Sequence, residues 1–278
     1  MPDTKHGLID DLAASASTPF GLYIAAPDDP LADHARALEA EVFFETFANT
    51  PEMLADEYGP YDDVSLFLVV VDHHRAAVAG MMRLILDGHG ALKSLADIEG
   101  EPWSTPLPST LTAAGLADLD TAETLDVATL AVHPEYRGSS TNGLISLALY
   151  QGLVRSAVVG GFRWIVTILD VVVLDLIQSS STAPFHFFPG VEPMRYLDSP
   201  ASVPVWCAIA EWEPRIRDLD PGMAGILLDG EGIEAAVAPA DHERGTTIAR
   251  SFTSTLIIDL RDAAQAIAAG DQRSDLTR

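Results

Sequence analysis

Apolar positions along this chain change their period several times, and each change marks an element. Residues 19–26 are a short, nearly continuous apolar run closed by the turn Pro27-Asp28-Asp29-Pro30, which predicts a first strand. Leu31, Ala35, Leu38, Val42 and Phe43 then recur at helical spacing, with Asp33, Arg36, Glu39 and Glu41 elsewhere around the cylinder, so an amphipathic helix is predicted to about Phe47. Thr50 and Pro51 have the form of an N-cap and a first helical residue. They start a second helix that ends near Tyr58, before Gly59-Pro60. Residues 64–71 and 76–86 are strand-like runs joined by the short polar link Asp72-His73-His74-Arg75, the pattern of an antiparallel hairpin. In the second run alternation puts Met81, Arg83 and Ile85 on one face. A guanidinium inside an apolar strand needs an anionic partner, either an internal one such as Asp62 or Asp126, or a ligand.

Residues 87–122 are mixed, with Pro102, Pro106 and Pro108 marking loops around two short helical turns. The next strand is residues 124–132, in which alternation puts Asp126, Ala128, Leu130 and Val132 on one face. It ends at His133-Pro134, passes through a turn of small residues carrying Arg137, and opens into a helix over 143–159 that is apolar on most sides and stops at Gly160-Gly161. A strand, a Gly/Ser turn and a helix N-terminus together make a cradle for anionic phosphate, because unpaired backbone N–H groups point at the ligand. Residues 163–169 predict a strand, 171–178 a short helix, and 194–197 and 203–210 two more strands. Beyond Pro214 the pattern weakens to apolar islands at 226–228 and 233–237 and a final helix at 256–269.

Charge narrows the partners. The formal charge of −25 argues against nucleic acid, whose binding rests on Lys and Arg neutralising phosphates. Lys5 and Lys93 are the only lysines, which makes an arginine beside a phosphate-type turn more noticeable. No run of 18 uncharged apolar residues is present; residues 164–177 come nearest and are broken by Asp170 and Asp175, so no membrane span is expected. The N-terminus lacks a basic head followed by an apolar run, and a cytoplasmic location is expected. The single cysteine, Cys207, lies in an apolar run and reads as a core residue. His73-His74 and His89 have no acidic or cysteine partner at ligand spacing, so no metal is expected.

The element order, together with Val132-His133-Pro134-Glu135-Tyr136-Arg137-Gly138, resembles the Gcn5-related N-acetyltransferase (GNAT) superfamily, whose acyl-coenzyme A motif begins V-x-P-x-Y-R-G-x-G-x-G. Ser139-Ser140-Thr141-Asn142-Gly143 follows here, with one glycine where the motif has two. Upstream, residues 61–69, Gly80-Met81-Met82-Arg83-Leu84 and Leu92-Lys93-Ser94-Leu95 resemble one branch of that fold, the acyl-homoserine-lactone synthases and long-chain N-acyl amino acid synthases. That branch carries E-x-S-R on the fourth strand, where this chain has Asp126, Ala128 and Thr129, keeping the acid and lacking the arginine.

The resemblance implies an α/β (α+β) fold with a mixed, mostly antiparallel sheet flanked by helices, in a domain over residues 18–212 followed by a C-terminal extension over 213–278. It implies an acyltransferase moving an acyl group from acyl-coenzyme A, acetyl or longer, to a primary amine by direct attack. The branch likeness points to a medium or long acyl chain or an amino-acid-like acceptor. Leu130, Ala131 and Val132 would pair with the pantetheine arm and hold the oxyanion, and Arg137, Gly138, Ser139, Ser140, Thr141, Asn142 and Gly143 would cradle the pyrophosphate. Asp126 is the candidate general base, with His133 as the other candidate, and Arg83 the candidate ligand for an acceptor carboxylate. An acyl-carrier protein is the less favoured donor, since such carriers are acidic like this chain. The expected partner is a small-molecule amine, with a homodimer left open. The rival reading is a non-catalytic acyl-CoA-binding or regulatory protein that keeps the fold.

Overall fold

The computed structural model describes residues 9–10, 18–88, 90–138, 143–179 and 184–229. Eight strands make one sheet: β1 (Phe20–Ala25), β2 (Ser65–Asp72), β3 (Ala77–Ile85), β4 (Thr124–Val132), β5 (Trp164–Asp170), β6 (His186–Phe187), β7 (Met194–Tyr196) and β8 (Ser199–Ala208). Their order is β1-β2-β3-β4-β5-β8-β6, with β7 also paired to β8. All pairings are antiparallel except β4 with β5. The helices are α1 (Pro30–Phe47), α2 (Pro51–Tyr58), α3 (Lys93–Glu99), α4 (Leu107–Ala113), α5 (Leu144–Gly160), α6 (Val171–Ser179), α7 (Ile209–Leu219) and the single turn α8 (Pro221–Ala224).

Strand β2 is buried at every position, which explains its continuous apolar run. Leu66, Leu68 and Val70 enter a core with Ile145, Leu149 and Leu153 of α5, while Phe67, Val69 and Val71 enter a second core with Leu31, Ala35, Leu38 and Val42 of α1. Helix α1 therefore covers one face and α5 the other. The close seat of α5 depends on Gly80 of β3: a Cβ there would stand 2.6 Å from Ile145 Cγ2. The predicted N-cap is present, with Thr50 Oγ1 accepting from Met53 N–H at 3.3 Å, and Asp29 of the preceding turn caps α1, its side chain accepting from Leu31 N–H at 2.7 Å.

Two expectations are corrected. The register of β3 on β4 pairs Arg83 with Thr129 and Leu84 with Val127, so Ala128 is an extra, bulged residue. Side-chain alternation restarts there. Asp126, Thr129 and Ala131 face the α1 side and Leu125, Val127, Leu130 and Val132 the α5 side, so Asp126 shares no face with Leu130. The last strand also begins earlier and stops sooner than expected. β8 starts at Ser199, and Ile209 already belongs to α7, which continues through Pro214 and buries Ile209, Trp212 and Ile216. Ile216, Ala224 and Leu227 join the α5-side core, so the described part of the C-terminal extension shares the core of residues 18–212. The islands at 233–237 and the helix expected at 256–269 lie outside the described residues. Among the described residues no helix is long and apolar enough to cross a membrane.

A cleft between splayed strands as candidate active site

Strands β4 and β5 pair for only three residues each, Thr124, Leu125 and Asp126 against Trp164, Ile165 and Val166. Beyond that they part, and a cavity of about 400 Å³ opens between them. Its walls include residues 127–130 and 167–170; α5 contributes Leu147 and Leu153, and α6 contributes Val173 and Leu176. The lining is mostly apolar with a few polar groups, the general make-up of a small-molecule site.

The edge of β4 presents backbone groups to this gap. His133 N–H donates to the Ala79 carbonyl at 3.0 Å, which fixes the antiparallel alternation. Thr129 and Ala131 therefore bond toward β3, while the peptide groups of Leu130 and Val132 turn toward β5. Two contacts agree with this direction: Val132 O accepts from Arg137 Nε at 2.7 Å, and Val127 O accepts from Thr167 Oγ1 at 2.6 Å.

After β4 the chain makes a short 3-10 turn, Pro134–Tyr136. Tyr136 is buried and anchors it, donating its OH to Asp72 Oδ2 at 2.8 Å, while the Arg75 guanidinium lies 5.4 Å from its ring centre. Burial and then the Asp72 carboxylate push the Tyr136 phenol up to about 12. Arg137 and Gly138 are exposed at the tip, and Gly138 has a φ of 61°. Gly143, with φ 75°, precedes the first turn of α5, which carries no side-chain cap. Ser139, Ser140, Thr141 and Asn142 lie outside the described residues.

The remaining candidates are dispersed. Asp126 is fully buried and is not part of the cavity lining; both its oxygens go to Ser94, from the backbone N–H and from Oγ, each at 2.6 Å. Burial pushes its carboxyl up to about 6, against the pull of those hydrogen bonds and of Lys93. Ser94 itself lines the cavity, so Asp126 reaches that space through the Ser94 hydroxyl. His133 stands apart: its Nε2 is 3.6 Å from Glu41 Oε1 and its Nδ1 accepts from the Glu135 N–H at 3.3 Å.

Arg83 meets protein carboxylates. It is 3% exposed, donates from Nε at 3.1 Å and from Nη2 at 2.6 Å to the two oxygens of Glu39, and from Nη1 to Asp62 at 2.8 Å and Ser65 Oγ at 3.3 Å. Glu39 is 2% exposed and also accepts from Thr129 Oγ1. The guanidinium needs its anion as the pattern of β3 requires, and the fold supplies it internally. Asp62 was one of the two acids named for this; Glu39 was missed. Its signal was present, because Glu39 lies four residues after Ala35 and three before Val42, inside the stripe that α1 buries.

A second buried cluster had no sequence signal. Lys93 Nζ touches Glu57 Oε1, Asp97 Oδ2 (2.7 Å) and the OH of Tyr196 (2.6 Å), which also lies 2.6 Å from Glu57 and 2.7 Å from Asp97. Burial opposes its charge, but Tyr58 and the carboxylates of Asp97 and Glu57 outweigh that and raise the Lys93 pKa. Lys93, Tyr58 and Tyr196 all line the cavity.

A mixed sheet whose one parallel pair splays around a cavity, followed by a turn and a long helix across the sheet, defines a GNAT-like fold. No family model and no curated protein matches this sequence. Solved structures do. FeeM, an N-acyl amino acid synthase from uncultured soil microbes, aligns with a TM-score of 0.52 at 12% identity over 72% of this chain and 95% of its own. The acyl-homoserine lactone synthase LasI aligns with a TM-score of 0.51 at 12% identity over 74% and 96%. The chain thus shares a GNAT-like fold with these two proteins.

Proposed function

We propose that this chain is an N-acyltransferase that moves an acyl group from acyl-coenzyme A to the primary amine of a small molecule. One observation carries the reading: the edge of β4 turns the peptide groups of Leu130 and Val132 into a gap that opens on an apolar cavity and lies beside the Arg137 turn. A pantetheine arm is an extended chain of amides and matches such an edge. The pyrophosphate falls to Arg137, Gly138 and the uncapped first turn of α5 after Gly143. An acyl chain longer than acetyl matches the apolar walls made by Leu147, Leu153, Val173 and Leu176.

In this reading the acceptor ammonium gives a proton to Ser94 Oγ as Ser94 passes its own to Asp126. The freed nitrogen attacks the thioester carbonyl. A C–N bond forms, a backbone N–H of Leu130 or Val132 bonds the oxyanion, and collapse breaks the C–S bond as the extra proton on the nitrogen passes to the departing sulfur, leaving a neutral amide and the free thiol. Arg83 serves as a positioning residue that ties β3 to α1 and to the bulge of β4 through Glu39 and Thr129. His133 has no step. Incubation of octanoyl-coenzyme A with a panel of primary amines, read as free thiol, tests the proposal. Amine-dependent thiol release is expected, and its absence with every amine would refute it.

A further inference from the structure

The charges on the cavity wall define the acceptor more narrowly than "amine". Among its described lining residues only Lys93 and Asp170 are charged. Lys93 has none of its charge to spare: its ammonium faces Glu57, Asp97 and the Tyr196 hydroxyl, so two carboxylates already surround one cation. Arg83, the other buried cation nearby, is held by Glu39 and Asp62 and does not line the cavity. A substrate carboxylate entering this space would lose its water and meet no cation with charge left to pair it.

Asp170 is in the opposite situation. Its Oδ1 accepts from the Val172 N–H at 2.8 Å and its Oδ2 from Ser199 Oγ at 2.7 Å, both neutral donors, and among the described residues no cation stands against it. These bonds fix the carboxylate in place and leave its charge uncompensated. Its position also suits an acceptor. Asp126 lies opposite Val166 in the parallel pair, and with the bulged Ala128 allowed for on β4, four residues further along β5 put Asp170 roughly level with Leu130 and Ala131 across the gap.

Resting on the acyl-transfer reading above, we infer that the acceptor is a cationic amine without a carboxylate, held through its ammonium at Asp170. Amino acids are thereby disfavoured and their decarboxylated counterparts favoured.

The test measures thiol release from octanoyl-coenzyme A with matched pairs: agmatine against arginine, cadaverine against lysine and tyramine against tyrosine. The inference expects the carboxylate-free member of each active pair to have a kcat/KM about tenfold higher or more, the size of one lost charge-assisted contact. Asp170→Asn keeps a cap for α6, since Asn and Asp cap equally well. This variant should raise the KM for the amine about tenfold and leave that for octanoyl-coenzyme A unchanged. Equal or better turnover of the amino acids, or an unchanged amine KM in Asp170→Asn, overturns the inference while acyl transfer stands. Octanoyl-coenzyme A that yields no thiol with any of the six amines overturns the acyl-transfer reading itself, and the inference with it.

Discussion

Replacing Arg83 with Met separates a positioning residue from a substrate ligand. In the folded protein Arg83 and Glu39 are both almost fully buried and share two hydrogen bonds, with Asp62, Ser65 and Thr129 completing the set. Removing one member of a buried pair leaves the other charge uncompensated, which costs about 3–5 kcal/mol. Here the survivor is Glu39, which loses both bonds from Arg83 and keeps the Thr129 hydroxyl as its side-chain donor among the described residues. At roughly 2–4 °C per kcal/mol for a domain of this size, Arg83→Met should melt roughly 6–20 °C below the parent. Replacing both residues, Arg83→Met with Glu39→Leu, removes the stranded charge and should recover most of the loss. Thermal unfolding followed by circular dichroism reads all three proteins at one pH and salt concentration. A single variant that melts within about 2 °C of the parent would contradict the buried-pair argument. If such a variant also lost affinity for an acceptor amine, Arg83 would have to be returned to the binding site.

Three further outcomes are expected. The Asp126 carboxyl is raised by burial to about 6, above its unfolded value near 3.9, so the native state holds its proton more tightly. Its contribution to stability is therefore present below pH ~4 and lost as pH rises through about 6, a swing of about 3 kcal/mol. Asp126→Asn should flatten that limb in urea melts, and should abolish a rise in thiol release with an inflection near pH 6; an unaltered profile would remove Asp126 from the proton path. Arg137→Ala should weaken octanoyl-coenzyme A about tenfold in titration calorimetry, and unchanged affinity would mean the phosphate site is misplaced. Tyr136→Phe removes the bond to Asp72 and leaves the ring in place, so it should cost about 1–2 kcal/mol in unfolding experiments; a neutral result would show that Asp72 does not brace the turn.

Much of the scaffold was legible because its periods are strong. The α1 stripe, the Thr50-Pro51 helix start and the β2–β3 hairpin all lie where apolar spacing and turn residues place them. Elements that depend on neighbours were not. The bulge at Ala128 leaves no mark in residues 124–132, since an extra residue is defined only against β3, and it moved Asp126 off the face of Leu130. The apolar pattern weakens beyond Pro214, yet α7 runs through that proline with Trp212 and Ile216 anchored in the core. The site divides the same way. The Arg137 turn was legible as a motif, whereas the Ser94 contact of Asp126 and the Lys93 cluster join segments 32 and 103 residues apart and exist only once the sheet has formed. Asp170 was visible only as an interruption in an apolar run, and its capping bond to Val172 explains why a charge is tolerated there.

The central claim is that the gap between β4 and β5 holds an acyl thioester with its chain against the apolar wall. Calorimetric titration with acetyl-, octanoyl- and palmitoyl-coenzyme A tests it most directly. Octanoyl carries six more methylenes than acetyl, with a ceiling of about 5 kcal/mol if all are buried at ~0.8 kcal/mol each. The account predicts that octanoyl-coenzyme A binds at least about tenfold more tightly than acetyl-coenzyme A, the smallest gain that partial burial of that chain allows. Equal affinity for the two, or no binding of any of the three, would contradict it.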